Sequence, residues 1–300
     1  MDIVYPYKSA PDDLELRYSL RSLANVPHDR VFVAGDKPLI IGPAVQHVPE
    51  ARIDDRYQSS TANIVAAIWA GDIKGQFVVM HDDIFVLRPW VFRHEHRGTI
   101  AEYLRSGEAS GEYRSYIEST RDILVSKGIA DPLWFGLHTP TVYDAQRLLE
   151  MVEGFEGHRY LLRTLYHNLH PAPAARRGDV KARLWGEPSA TADILSISDD
   201  VARSHSFRRW IAARFPDRCR YEIATTGKCL ILGYGPTLWV DVEQALDGAD
   251  YAAVIASPEA AEHWPGDVLA IAHDDDHADR IARSIGFDDV TWCGRTKEAA

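Results

Sequence analysis

The chain is poor in cysteine. It has three in 300 residues, Cys219, Cys229 and Cys293, widely spaced and without a CxxC pair. This argues against both a disulfide framework and a thiolate zinc site, with reduced, mostly structural thiols the expectation. Cations are also in deficit: 33 Lys and Arg stand against 44 Asp and Glu, a formal charge of −11. Sequence-independent binding of nucleic acid takes its affinity from cations that neutralise phosphates, so a nucleic-acid acceptor is disfavoured. No apolar run approaches the ~20 residues that a membrane-spanning helix needs. The opening MDIVYPYKS has neither the basic start nor the long apolar core of a secretory leader, and the expected location is the cytoplasm.

What is present is an ordinary globular composition, 46% hydrophobic and 26% charged, in a length that suits one large domain and one small one. Strands and helices alternate from the start. Asp2 to Tyr7 is an apolar, β-rich run broken by Lys8-Ser9-Ala10-Pro11. Asp12 stands three residues before Glu15, and Leu16, Leu20 and Leu23 follow at helical spacing, which predicts a capped amphipathic helix. Arg30 to Asp36 and Val45 to Pro49 read as further strands, and a second helix is expected over about Thr61 to Ala70 with Asn63 in its first turn. The alternation argues for an α/β fold with a mostly parallel sheet, because parallel strands need crossover connections.

The next strand carries the chemistry. QFVVMHDDIFVLRP (Gln76 to Pro89) runs apolar residues into His81-Asp82-Asp83 and resumes apolar at once. Two adjacent carboxylates at the end of a buried strand call for a compensating cation, since desolvating each one unpaired costs several kcal/mol. The plainer reading is an acidic turn that caps the next element. In parallel sheets, ligands bind beyond the strand C-termini, and Lys8, Gly35-Asp36 and His81-Asp82-Asp83 all fall on that rim. Three polar strand ends converging on one edge favour a site.

Several blocks together resemble a known family. DIVY, then DDLELRYSLRSL, RVFVAGD, a Ser-Ser-Thr-Ala-Asn helix start and FVVMHDDIF resemble, in order, blocks of the Stealth-type sugar-phosphate transferases. They resemble still more closely the shorter glycosyltransferase-like proteins of actinobacteria and their phages. GLHTPTVYDAQRLLEM (Gly136 to Met151) and LSISDD (Leu195 to Asp200) look like the third and fourth blocks. The resemblance covers about the first 220 residues. It implies a GT-A-like sheet sandwiched by helices, a nucleotide-sugar donor, Mn²⁺ or Mg²⁺ as cofactor, and the host cytoplasm if the chain is phage-encoded. Stealth proteins usually carry Asn at the positions of His81 and Asp13, and a tryptophan motif where this chain has YPYKSAP. These departures weaken the case for sugar-phosphate transfer in particular.

Position and resemblance together assign roles. Asp83, with Asp82, would hold the metal against the donor diphosphate, and His81 would be a third polar contact or a turn histidine. Arg17 would reach phosphate from the first helix, or pair with Asp13 at the surface. Asp12 serves as an N-cap, and the matching family position lies in the active site. Lys8, Gly35, Asp36 and Asn63 would face nucleotide or sugar. His138, between Leu133 to Leu137 and a helix expected to start at Thr139-Pro140, could take the proton of an acceptor hydroxyl; a buried structural histidine would look the same. His167 and His170 could line an acceptor pocket, and core packing beside Leu165 and Leu169 is the plainer reading. Asp199 would add a metal or phosphate contact, or cap a helix together with Ser198. The basic groups Arg176, Arg177, Lys181, Arg183 and Arg203, Arg208, Arg209, Arg214 read as solvated helix faces, with phosphate clamps the less frequent alternative.

The domain division expected is 1–222 for the transferase domain and 223–300 for a small α/β unit of unknown role. In the latter, three apolar runs alternate with helical stretches, Gly233-x-Gly235 is a weak dinucleotide hint, and His273 to Asp276 reads as a helix cap. Three functions are compatible with these readings: glycosyl transfer from a nucleotide-diphosphate sugar to an acceptor hydroxyl, sugar-1-phosphate transfer releasing nucleoside monophosphate, or a nucleotide-binding or virion-associated module without turnover. The acceptor class stays open among protein, glycan, lipid and modified DNA.

Overall fold

The structure is a computed structural model describing residues 1–9, 13–38, 40–49, 53, 55–222, 229–232, 254–256, 270–271 and 290–293. The chain runs β1 (Asp2–Tyr7), α1 (Leu14–Ser22), β2 (Val31–Gly35), β3 (Val45–Pro49), α2 (Arg56–Ala70), β4 (Gln76–Val79), β5 (Ile84–Val86) and β6 (His94–His96). There follow α3 (Ile100–Arg105), α4 (Gly111–Ser126), β7 (Thr141–Asp144), α5 (Ala145–Gly154), α6 (Leu162–Leu169), β8 (Ala174–Arg176), β9 (Lys181–Ala182), β10 (Ile194–Ile197), α7 (Asp199–Arg203) and α8 (His205–Arg214). Beyond residue 222 the described residues form four strands: β11 (Cys229–Leu232), β12 (Val254–Ala256), β13 (Ala270–Ile271) and β14 (Val290–Cys293).

The contacts divide the chain into two units. The larger comprises Met1–Lys8, Tyr18–Lys37 and Val45–Arg218. Its central sheet has the order β3-β2-β1-β4-β7, parallel except for β7, which runs antiparallel to β4. The fold class is therefore the expected mixed α/β with a mostly parallel sheet between helices. Alternate side chains serve the two faces: Val4, Phe32, Phe77 and Val79 join Ile64, Ala67 and Ile68 of α2 in one core, while Ile3, Tyr5, Val31 and Val33 are buried too. The unit also contains two smaller sheets, β5-β10-β9 and the parallel pair β6-β8. The other unit comprises Ser9–Arg17, Pro38–Ala44 and Cys219–Ala300. Its described strands form one parallel sheet, β13-β12-β11-β14; the first three coincide with the expected apolar runs, and β14 is an addition to them. Gly233, Gly235 and His273 to Asp276 lie outside the described residues.

Several local expectations need correcting. α2 starts at Arg56, not Thr61, because Asp55 caps it, its carboxylate accepting the backbone N–H of Tyr57 (2.9 Å) and Gln58 (3.1 Å). Asn63 is thus an interior helical residue, buried, and no first-turn anion contact is open to it. Leu133 to Leu137 is irregular, and Thr139-Pro140 leads into strand β7; the helix waits for the cap at Asp144, whose carboxylate accepts from Arg147 N–H. Arg17 is buried, not on a solvated face, and its N–H donates to Asp13 O. Arg177 and Lys181 belong to no helix; they are paired with Glu95 and Asp193, and with Asp83.

Candidate active site

The acidic turn is placed by two sheets at once. β4 delivers His81-Asp82-Asp83 at the C-terminal edge of the parallel sheet, where crossover topology leaves room for ligands. Helix α1 then pins the strand after the turn: the buried Ser19 hydroxyl donates to Ile84 O (2.7 Å), and Ser22 Oγ accepts from Val86 N–H (3.1 Å). Just beyond α1, Asn25 Nδ2 donates to Val86 O (2.8 Å). The ELRYSLRS block therefore contributes two hydroxyls that hold β5 in place.

Strand register supplies the partners. β10 pairs antiparallel with β5, Ser196 opposite Ile84, and parallel with β9, Ser196 opposite Lys181. Asp83, one residue before Ile84, consequently receives both: Lys181 Nζ and Ser196 Oγ each lie 2.9 Å from Asp83 Oδ2. Burial would raise the Asp83 carboxyl, but the Lys181 ammonium, helped by His81 and His138, outweighs it and holds the carboxyl below its ordinary range. Asp82 has no ion pair among the described residues, and burial together with the Asp83 charge outweighs the Lys181 charge and pushes it up to about 7. Burial lowers His81 to about 4, so its imidazole is neutral at pH 7.

His138 reaches the same edge because β7 is antiparallel. Thr141 pairs with Val79, so the segment entering β7 meets the segment leaving β4. Arg163 fixes that segment by donating to the carbonyls of Leu137 and Thr139, on either side of the histidine. His138 Nδ1 lies 3.0 Å from Asp179 Oδ1. Burial opposes ionisation of Asp179, yet the His138 hydrogen bond and charge, the Lys181 backbone N–H and Arg97 bring it down to about 2. An ionised carboxylate only accepts, so His138 carries its proton on Nδ1 and presents Nε2 as the basic nitrogen.

A cavity of about 450 Å³ opens beside this pair, its walls including His138, Asp179, Lys181, Arg97, Arg183 and Tyr103. Ser198, also in the wall, has a buried hydroxyl with no hydrogen-bond partner among the described residues.

The residues expected from sequence separate into groups. His81, Asp82, Asp83 and His138 come together. Lys8, Gly35 and Asp36 lie at the tips of β1 and β2. Gly35 has φ +129°, and a Cβ there would lie 2.0 Å from Tyr7 O and 3.0 Å from Asn63 Nδ2. Lys8 is exposed. Asp199 is not turned into the cavity: its side chain is 87% exposed and faces Arg203 at 3.9 Å, whereas Ser198 and Asp200 contribute to the wall. Asp12 lies outside the described residues. Sequence reasoning missed Asp179, Ser196 and Arg163, and assigned Lys181 to a helix face. A signal existed: Asp179, Lys181 and Arg183 alternate, as side chains sharing one face of an extended strand do, and all three line the cavity.

The donor set suits a hard divalent cation. Mg²⁺ and Mn²⁺ are commonly held by one or two carboxylates with substrate phosphates and water completing the shell, and Asp82 and Asp83 provide two, Asp82 with no ion pair among the described residues. Among the described residues, no group of three or more His, Cys, Asp or Glu has the geometry of a complete protein-built metal site. No described helix is long and apolar enough to cross a membrane.

No protein-family model matches the chain. No curated protein matches it either. Among solved structures, the apo form of the glycosyltransferase GlyE of Streptococcus pneumoniae TIGR4 superposes with a TM-score of 0.35 at 9% identity, over 100% of this chain and 93% of that one. A galactosyltransferase, LgtC, in complex with donor and acceptor sugar analogs, gives 0.41 at 11% identity, over 73% of this chain and 98% of that one. These likenesses are distant in sequence and in superposition, and they assign this chain neither a donor nor an acceptor.

Proposed function

We propose that the chain is a nucleotide-sugar-dependent glycosyltransferase of GT-A-like architecture, using Mn²⁺ or Mg²⁺ to move a sugar from a nucleotide-diphosphate donor to an acceptor hydroxyl. The observation that carries this reading is the meeting of the acidic turn with the His138–Asp179 pair at the C-terminal edge of the parallel sheet, linked through Lys181. Asp83 and Asp82 would hold the cation, with the neutral His81 beside them. When bound, the cation supplies charge neutralisation for the donor diphosphate.

The chain's own residues do the rest. His138, oriented through Nδ1 by Asp179, accepts the acceptor's hydroxyl proton at Nε2. Arg97, Lys181 and Arg183 give the cavity cationic groups for phosphate oxygens. The Tyr103 ring, stacked on Trp134 at 4.6 Å, carries the Arg97 guanidinium over it at 5.2 Å and so holds that cation at the cavity wall.

A panel of nucleotide sugars, incubated with Mn²⁺ or Mg²⁺ and analysed for the nucleotide released, tests the reading. Release of nucleoside diphosphate that is lost in Asp83→Ala is expected. Release of monophosphate would identify sugar-1-phosphate transfer instead. No donor bound or turned over would leave the transferase reading without support.

A further inference from the structure

Lys181 occupies an unusual position in this arrangement. Its side chain forms part of the cavity wall, yet its ammonium lies on Asp83 Oδ2, and neither Asp82 nor Asp83 is among the described residues lining the cavity. Lys181 thus belongs both to the wall of the open space and to the carboxylate. Among the described residues it is the cation hydrogen-bonded to Asp83, the second hydrogen bond on the same oxygen coming from the neutral Ser196 hydroxyl. A cation approaching Asp83 Oδ2 meets the positive charge already there, and like charges at contact repel strongly where solvent is scarce. A diphosphate arriving with the cation changes the balance, because it offers the ammonium new anionic oxygens.

We propose that Lys181 is a displaceable counter-ion: it occupies the cation position on Asp83 in the empty enzyme and yields it when a divalent cation enters together with the donor diphosphate, to which the ammonium then turns. The proposal rests on the reading of Asp83 as a metal ligand. It makes cation and diphosphate binding mutually dependent, and it makes Lys181 the residue that couples them. The stem can make this move without refolding the sheet, because β9 is held by its backbone pairing to β10 while the lysine side chain has four rotatable bonds.

The test is Mn²⁺ binding to the full chain, read from the loss of the free-ion electron paramagnetic resonance signal, with Mn²⁺ alone and with added inorganic pyrophosphate. Wild type is expected to bind Mn²⁺ weakly alone and at least tenfold more tightly with pyrophosphate. Lys181→Met is expected to bind Mn²⁺ alone at least tenfold more tightly than wild type, with most of the pyrophosphate enhancement gone. Ser196→Ala frees the same oxygen of a hydrogen bond without removing the charge, and should leave Mn²⁺ affinity within about threefold of wild type; circular dichroism checks that each variant is folded. Lys181→Met binding no more tightly than wild type, or Ser196→Ala gaining as much, overturns the proposal. Asp83→Asn separates the two levels. If it abolishes Mn²⁺ binding while Lys181→Met changes nothing, Lys181 is no counter-ion but Asp83 remains a ligand. If no variant binds Mn²⁺ under either condition, the metal reading falls and the proposal with it.

Discussion

His138 Nδ1 lies 3.0 Å from Asp179 Oδ1, although 41 residues separate them in the chain. The contact fixes the tautomer of the histidine and gives the carboxylate its depressed titration, so one substitution should disturb both. Asp179→Asn is expected to lower kcat by about 100-fold or more, with a smaller change in KM for donor, because the base is then free to adopt the wrong tautomer.

The same variant has a pH signature in stability. Asp179 titrates at about 2 in the folded protein, below the ordinary carboxyl value of about 3.9. Its contribution is therefore fully present above pH 4 and is lost as pH falls through 2. Denaturant unfolding of wild type and Asp179→Asn should differ by about 2 kcal/mol at pH 7, with the gap closing toward pH 2.

His167 acts in a different range. It is 4% exposed and ringed by His94, Phe135, Tyr143 and Tyr166. Burial, then the neighbouring His94 and Arg163, lower it to about 3. The unfolded histidine takes up a proton near pH 6.5 and the folded one does not, so stability falls as pH drops from 6.5 toward 3, by on the order of 4 kcal/mol in total. His167→Phe should flatten that part of the stability curve, measured by urea unfolding at stepped pH.

The two serines of α1 offer a test of how the acidic turn is held. Ser19→Ala leaves Ile84 O without its 2.7 Å hydrogen bond and removes a partner of Tyr5 OH. A buried group left unpaired costs about 1–3 kcal/mol, so Ser19→Ala and Ser22→Ala should each lower stability by that amount in thermal or urea unfolding. Hydrogen exchange should be faster in β5 and unchanged in β2.

Gly35 is required for backbone reasons. At φ +129°, and with Tyr7 O only 2.0 Å from where a Cβ would stand, Gly35→Ala should destabilise by more than about 3 kcal/mol. The change should appear as a lowered urea midpoint.

Legibility in the sequence follows the range of the interactions. β1, β2 and β3 are readable because alternation and apolar runs record burial residue by residue, and Leu16, Leu20 and Leu23 give α1 by their spacing. The start of α2 is hidden because Asp55 sits in a run of polar residues that offers several caps. Thr141–Asp144 reads as part of a helix because four residues are too few to display a strand's period against the strong α5 pattern after them. Helical spacing alone puts Arg17 on a polar face, since it records a side chain's direction but not what packs over it.

Local pattern by itself determined the α/β class, the order of the first strands, and the arrival of two carboxylates at the tip of β4, since each depends on neighbours within a few positions. Only the tertiary structure decided what those carboxylates meet. Lys181 is 98 residues beyond Asp83 and Ser196 is 113 beyond it; they reach the same oxygen because β5, β10 and β9 lie in one register. Hydrogen bonds act over about 3 Å, and the chain distances they bridge leave no trace in the local composition on either side.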